Sequence, residues 1–163
     1  MFENLVGLKL NCFGRAADMA WFAFCSASID AEYSPCIEYD LHIQCPWRLI
    51  IDKRIISGYS DIFCPGERFT LEEWESQTEK HFSYDERSVF DESVYAFRKA
   101  KSALIVTDAQ LKECNDLLIR FNDSACLQIF VDQSITEAEQ WRLFNVNSIK
   151  ENYVVYPLDI NDE

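Results

Sequence analysis

The chain has 163 residues, a net charge of −13 and hydrophobic residues at 48% of its positions. This length and apolar content suffice for a substantial core, so the sequence predicts a single domain, residues 1–163. The negative charge argues against nucleic acid or an anionic membrane as direct partner, because both carry the same sign of charge. No apolar run approaches the roughly 20 residues that a membrane-spanning helix needs.

Cysteine usage bears on the compartment. There are seven, Cys12, Cys25, Cys36, Cys45, Cys64, Cys114 and Cys126. The odd count and the absence of C-x-x-C spacing do not match a disulfide framework, so we expect free thiols in a reducing cytoplasm. The first residues lack a basic stretch followed by an apolar one, which argues against a secretory signal.

The first half of the chain predicts mainly strands. Residues 2–10 have the apolar spacing of a short helix, whereas the continuous apolar run 19–24 is typical of a buried strand. Residues 41–51 alternate between apolar and polar, which predicts one long strand with one buried face. Its Pro46 indicates an edge or a bulge. Asp52 and Lys53 then form the predicted turn of a hairpin, with residues 54–63 returning.

Two helices are predicted next. Thr70 and Glu73 match a capping box, which places a helix start at Leu71 and a helix over residues 71–80. Phe90, Val94 and Phe97 have the spacing of a second amphipathic helix.

The last third predicts further strands over residues 103–107, 117–121 and 127–131, the last two joined by a turn at 122–124. Ser134 and Glu137 form a second capping-box pattern, which predicts a short helix through Trp141 and Phe144. A terminal strand over 153–156 precedes a frayed acidic tail, 159–163. The predicted fold is therefore α+β, mainly an antiparallel sheet built from hairpins and flanked by a few short helices.

No catalytic, metal-binding or cofactor-binding motif is present, which favours a protein that is not an enzyme. His42 and Asp40 are two residues apart on a predicted strand, so they share a face on which their side chains can contact each other, although His42 is interpreted as an ordinary exposed or hydrogen-bonded histidine of the sheet. Cys45 has the parity of Ile43 and Trp47, which places its thiol in the core and away from His42. This argues against a cysteine nucleophile served by that histidine.

An acidic segment is the main candidate for partner binding. Residues 71–92 carry eight acidic side chains against two basic ones, a net charge of −6. Aromatic residues lie among them, and interfaces use such residues as anchors. A solvated face that only aids solubility is the alternative. The predicted partner-binding residues are Glu72, Glu73, Trp74, Glu75, Glu79, Tyr84, Asp85, Glu86, Asp91 and Glu92.

Polar side chains near the N-terminal half give a second candidate, a ligand-binding site. The residues are Arg15, Asp18, His42, Gln44 and Arg48. Arg15, Gln44 and Arg48 supply donors that suit an anion, provided that a concave pocket brings them together.

Three segments carry a family resemblance. They are Gly14-Arg15-Ala16-Ala17-Asp18-Met19, Leu41-His42-Ile43-Gln44-Cys45-Pro46-Trp47-Arg48, and Glu139-Gln140-Trp141-Arg142-Leu143-Phe144. Together they resemble a group of small uncharacterised bacterial proteins of similar length, and the second segment is the most specific. The small, acidic, motif-free character also resembles the immunity proteins of bacterial toxin–immunity systems, including contact-dependent growth inhibition.

That likeness implies a function. We expect an immunity protein whose acidic surface binds and neutralises a basic toxin domain, for example a nuclease with a phosphate-binding cleft. The alternatives are a small-molecule or anion-binding domain or enzyme, and a structural or adaptor subunit. A homo-oligomer is left open, and no cofactor is expected.

Overall fold

The computed structural model describes residues 2–26, 37–66, 88–100, 103–135 and 137–157, without the side chains of 149–151. Its described part is mostly β, with two antiparallel five-stranded sheets and one α-helix, which confirms the α+β prediction. The strands are β1 (Leu8–Ala16), β2 (Met19–Ser26), β3 (Tyr39–Ile43), β4 (Trp47–Ile51), β5 (Arg54–Gly58), β6 (Val106–Leu111), β7 (Leu117–Phe121), β8 (Cys126–Ile129), β9 (Trp141–Asn145) and β10 (Ser148–Val155). The helix α1 is Val89–Ala100, and short 3-10 helices occupy Phe2–Leu5, Tyr59–Phe63 and Glu113–Asn115.

Hairpins build both sheets, as predicted. The first sheet has the order β1-β2-β3-β9-β10 and the second has the order β5-β4-β8-β7-β6. The predicted turn at Asp52 and Lys53 joins β4 to β5, and both residues have positive φ angles, 48° and 66°. This conformation matches the right-handed twist of the flanking strands. The predicted turn at 122–124 joins β7 to β8.

The chain passes from one sheet to the other at residues 44–46. The predicted long strand 41–51 is therefore wrong in one respect: it is two strands, β3 and β4, in different sheets. The Gln44 amide donates to Gln140 of the first sheet, and the Pro46 carbonyl accepts from Phe130 of the second. Pro46 has no amide to donate, which suits the point where the pairing changes. We call residues 44–46 the crossover.

Burial nevertheless alternates without interruption through the crossover. Leu41, Ile43, Cys45, Trp47 and Leu49 are buried, as their parity predicts, and the residues between them are more exposed. Both sheets and α1 contribute to one hydrophobic cluster, which holds all five of these side chains. The core lies between the sheets and the inner face of α1, where the predicted triad of Phe90, Val94 and Phe97 is buried.

The start of the chain differs from its prediction. Only Phe2–Leu5 is helical, as a 3-10 turn, and β1 begins at Leu8. Gly7 lies between them with a φ angle of 90°, a conformation that glycine adopts without a steric penalty. The helix predicted for residues 2–10 therefore ends after one turn.

The predicted helix through Trp141 and Phe144 is wrong, because these residues belong to β9. Trp141 and Leu143 are buried while Arg142 and Phe144 are only half-buried, which is the period of two expected of a strand. The capping-box pattern at Ser134 and Glu137 opens no helix that reaches them. Tertiary pairing with β3 and β10 on either side overrides it.

Smaller differences concern strand limits. The strand predicted at 103–107 is found at Val106–Leu111, and the strand predicted at 54–63 ends at Gly58, where a 3-10 helix follows. The terminal strand begins earlier than predicted, at Ser148. The predicted helix 71–80 and the acidic tail 159–163 lie outside the described residues. No described helix is long and apolar enough to cross a membrane.

Candidate functional site

Acidic side chains from several turns gather around the crossover. We call this group the acidic end of the protein, and its members are Asp18, Glu113, Asp116, Asp132, Glu137 and Glu139. Asp18 lies in the β1–β2 turn, and Asp132 follows β8. Glu113 and Asp116 lie between β6 and β7, whereas Glu137 and Glu139 precede β9. These strand ends of both sheets lie at the end of the molecule that holds the crossover, so the carboxylates share that end.

The turn that carries Glu113 and Asp116 is fixed by its neighbours. Cys114 and Asn115 have positive φ angles, 57° and 63°, so the chain reverses sharply there. The Asn115 carbonyl accepts a hydrogen bond from Trp141 Nε1 at 3.0 Å, and its side-chain amide donates to the Tyr156 carbonyl at 3.1 Å. Asp116 Oδ1 accepts from the Val131 amide at 2.7 Å. These bonds attach the turn to the first sheet and to the end of β8.

The charges of the acidic end raise the pKa of two groups, Cys45 of the crossover and Tyr59, in addition to the effect of burial. Burial, followed by the charges of Asp132 and Asp116, raises the pKa of Cys45 to about 12. Burial also raises the pKa of Tyr59, and the charges of Asp18 and Asp132 add to the effect. Negative charge from separate turns thus acts on the same small region, and it favours the neutral forms of the thiol and the phenol.

Most of these carboxylates have no cationic partner among the described residues. Glu139 pairs with Arg142, three residues away, and it also accepts a hydrogen bond from Gln44 at 3.3 Å. The other five carboxylates form no ion pair with any described residue. Asp18, Glu113, Asp132 and Glu137 are exposed. The acidic end therefore presents uncompensated negative charge to solvent.

Arg15 and Asp91, predicted for different sites, meet in one ion pair. Arg15 Nε donates to Asp91 Oδ1 at 2.9 Å and Nη2 donates to Oδ2 at 2.8 Å. Ser88 also donates to Asp91, from its amide and its hydroxyl. Burial by itself would raise the pKa of Asp91, but the hydrogen bonds from Arg15 and Ser88 lower it below its usual value. The pair joins the end of β1 to the start of α1.

Asp40 and His42 contact each other, with 3.1 Å between Oδ2 and Nε2. The two side chains lie on the face of β3 that points away from the core. The His42 ring meets Phe144 of β9 edge to face, with 4.9 Å between the centroids. Asp40 Oδ1 is buried and has no hydrogen-bond partner.

Arg15, Gln44 and Arg48 each have a different partner. Gln44 bonds to Glu139 at the acidic end, whereas Arg48 Nε donates to Gln128 at 2.7 Å and its guanidinium lies 5.3 Å from the Phe130 ring centroid. Arg15 is held by Asp91. No described contact is shared by the three side chains, so anion binding by them stays a prediction. Of the predicted ligand-binding residues, Asp18 and Gln44 belong to the acidic end.

The acidic segment is mostly outside the described residues. That applies to Glu72, Glu73, Trp74, Glu75, Glu79, Tyr84, Asp85 and Glu86. Pro65 and Ser88 form an isolated antiparallel bridge on either side of the gap, so the chain leaves and re-enters the described structure at neighbouring positions. Of the two described members, Asp91 is held by Arg15 and Ser88, and Glu92 is half-buried in the first turn of α1.

Sequence reasoning did not find the acidic end as a unit. Its members are distributed over the chain from Asp18 to Glu139, and no segment among them is strongly acidic. The available signal was that each carboxylate adjoins a strand end, but only the sheet order shows which ends coincide. No group of described His, Cys, Asp and Glu side chains has a geometry that could hold a metal ion.

Comparisons with protein-family models, with curated proteins and with solved structures find no match to this chain.

Proposed function

We propose that this protein is an immunity protein, which binds and neutralises a bacterial toxin domain through the acidic end. The observation that carries the proposal is the group of five carboxylates that lack an ion pair within the described structure and gather at one end of the molecule. Such a role needs no catalytic group, cofactor or metal ion. The partner is expected to be a basic protein, with nucleases as the leading class because their clefts bind phosphates.

Uncompensated charges on one surface suit this role for a physical reason. Like charges held together repel one another, and a basic surface that meets them relieves this repulsion. The same charges accelerate association, because they attract the partner before contact. Asp116 is held by the Val131 amide, and Glu139 by Arg142, so part of the surface is already ordered before binding.

The first test is genomic, because an immunity protein should have a toxin gene beside its own. The toxin domain that such a gene encodes is then co-produced with the protein. Growth of cells that produce the toxin domain should be restored by the parent chain. In a site variant, Asp18→Asn, Asp132→Asn and Glu137→Gln remove three exposed charges of the acidic end. In a control variant, Glu3→Gln, Asp52→Asn and Asp123→Asn remove three exposed charges elsewhere. Asp52 and Asp123 lie in turns at the far ends of β4 and β7.

The site variant should associate with the toxin domain about tenfold more slowly at low salt, and it should protect growth less well. The control variant has the same net charge and should behave like the parent chain. If both variants lose association rate and growth protection to the same extent, the net charge of the protein matters and the position of the acidic end does not. A parent chain that neither binds the toxin domain nor restores growth would refute the proposal.

A further inference from the structure

Among the described strands, β10 forms one border of the first sheet. It pairs with β9 on one side, and no described strand lies on its other side. The register with β9 shifts between Ser148 and Asn152 but is regular from Asn152 to Val155. Residues 152–156 read Asn-Tyr-Val-Val-Tyr, without charge or proline. Valine and tyrosine favour strands, so this stretch presents backbone N–H and C=O groups in a geometry that can pair with another strand.

The other three sheet borders carry features that discourage pairing. In β1 the register shifts between Leu10 and Cys12, and Lys9 is bridged to Ile105. In β5 the register shifts within its pairing to β4, and the Ile56 carbonyl accepts from the Ser93 hydroxyl of α1 at 3.0 Å.

Border strand β6 has a register shift beside Asp108, whose carboxylate pairs with Arg120. Bulges and charges of this kind protect sheet edges. Residues 152–155 of β10 have neither.

The direction of β10 relates it to the acidic end. Its last carbonyls are bound there: Val155 O accepts from the Gln140 amide at 2.9 Å, and Tyr156 O accepts from Asn115 at 3.1 Å. Asn115 lies between Glu113 and Asp116, and Gln140 follows Glu139. The strand therefore runs toward these carboxylates. A strand added antiparallel to β10 would have its N-terminal residues beside them.

We propose that β10 binds an extended segment of the basic partner as an added antiparallel strand, with lysine or arginine residues just before the paired stretch. Backbone hydrogen bonds provide the pairing, and the carboxylates of the acidic end bind the basic residues. This inference rests on the proposed function, from which it takes the partner. Charge favours that partner over a second copy of this chain, which would bring its own excess of negative charge.

Two aspartate variants separate strand pairing from charge. Val154 lies within the regular stretch of β10, whereas Val146 is exposed in the β9–β10 turn at the opposite end of the hairpin. Val154→Asp and Val146→Asp each add one negative charge, so neither weakens attraction to a basic protein. Val154→Asp places a poor strand former beside the added strand and should lower affinity for the neighbouring toxin domain about fivefold. Val146→Asp should leave affinity unchanged, and circular dichroism checks that both variants fold.

Hydrogen exchange of the full chain provides the second measurement. Binding of the toxin domain should slow amide exchange at residues 152–156 in the parent chain and less so in Val154→Asp. The β10 proposal would be overturned, while the proposed function stands, by two results together. Binding would slow exchange only at residues 44–46 and 113–118, and Val154→Asp would bind the toxin domain as tightly as the parent chain. Absence of any binding would overturn both. A dimer of the chain alone that Val154→Asp dissociates would assign β10 to a second copy and would also overturn the proposal.

Discussion

Arg15 and Asp91 lie 76 residues apart in the chain and form a two-point ion pair that is largely shielded from solvent. Their side chains are 14% and 9% exposed, so the charges are poorly hydrated and each depends on the other. The pair fixes α1 against β1. Asp91 also accepts hydrogen bonds from Ser88, which forms the isolated bridge with Pro65. It is therefore a structural contact between the end of β1 and the start of α1.

Replacing Arg15 should destabilise the protein markedly. Arg15→Met leaves the Asp91 carboxylate without its partner, and we expect a loss of about 3 kcal/mol in the free energy of unfolding, at the low end of the range for shielded pairs. Arg48→Met is a matched control, because Arg48 is exposed and donates its hydrogen bond to the uncharged side chain of Gln128, so the loss in the free energy of unfolding should stay below about 1 kcal/mol. Urea denaturation measures the free energy of unfolding of both variants. Equal losses would contradict the structural role of the Arg15–Asp91 pair.

The same pair predicts how stability depends on acid. Because the pKa of Asp91 is lowered in the folded protein from 3.8, its contribution is complete above about pH 4 and is lost as the pH falls through the folded value. Asp91→Asn should be less stable at neutral pH and should show a weaker decline between about pH 4 and 2. Unfolding midpoints over that range provide the comparison. If Asp91→Asn loses stability in acid as steeply as the parent chain does, other carboxylates cause the loss.

Trp47 should be among the most sensitive core positions. Its side chain is 3% exposed and packs edge to face against Phe22 and Phe90, with centroids 5.1 and 5.7 Å apart. Trp47→Ala should cost about 3–5 kcal/mol. Trp47→Phe should cost less than half as much, because it keeps an aromatic ring and removes the indole N–H, which is buried without a hydrogen-bond partner. A denaturation midpoint that barely moves in Trp47→Ala would contradict the burial.

The sequence predicted this burial correctly for a reason that does not depend on the strand limits. Alternation sets which side chains face the core, and it continues through the crossover although β3 and β4 belong to different sheets. The sheet change itself depends on hydrogen bonds to Gln140 and Phe130, which are distant in sequence. The helix predicted over β9 is wrong because the capping pattern is local, whereas residues Trp141–Asn145 have the period of two of a strand and pair with β3 and β10.

The candidate site was less predictable than the fold. Strand parity alone places Asp40 and His42 on one face, and the contact that this allows is present. The acidic end requires the relative positions of four chain segments, which are the β1–β2 turn, the β6–β7 connection, the end of β8 and the residues before β9. Local patterns do not contain these positions. The pairing of Arg15 with Asp91 likewise joins residues from the two separate predicted sites.

Thiol reactivity should follow exposure. The described cysteines differ in exposure: Cys64 and Cys114 are exposed, whereas Cys25 and Cys45 are buried. At pH 8 a thiol reagent should modify the first two rapidly and the last two only after unfolding, since thiolate is the reactive form and the pKa of Cys45 is about 12. Unfolded, non-reduced protein should yield seven thiols, Cys36 included. A count of five or fewer in fresh protein would reveal a disulfide.

Cys45 should also affect stability in alkali. The contribution of its protonated thiol is complete below pH 9.0 and declines as the pH rises toward about 12, because the unfolded thiol ionises first. Cys45→Ala should therefore lose less stability between pH 9 and 11 than the parent chain. Unfolding midpoints measured across that interval test this, and parallel curves would contradict it.

Charge reversal can decide whether the acidic segment or the acidic end binds the partner. In one variant, Glu72, Glu73, Glu75 and Glu79 become lysine; in the other, Asp18, Glu113, Asp132 and Glu137 do. Both change the net charge from −13 to −5, so long-range attraction is reduced equally. Folding should survive in both, because exposed charges contribute about 0–1 kcal/mol each. Relief of repulsion at the acidic end should even stabilise the second variant slightly.

The two variants should differ in binding. If the acidic end is the interface, its variant should bind the toxin domain at least about tenfold more weakly at low salt than the segment variant, and its association should depend less on salt. Stopped-flow association at several salt concentrations measures both quantities. The reverse order would assign the interface to the acidic segment, as its density of charge and its aromatic residues first suggested. If both variants bind the toxin domain as tightly as the parent chain does, electrostatic recognition is refuted, and so is the proposal of a basic partner.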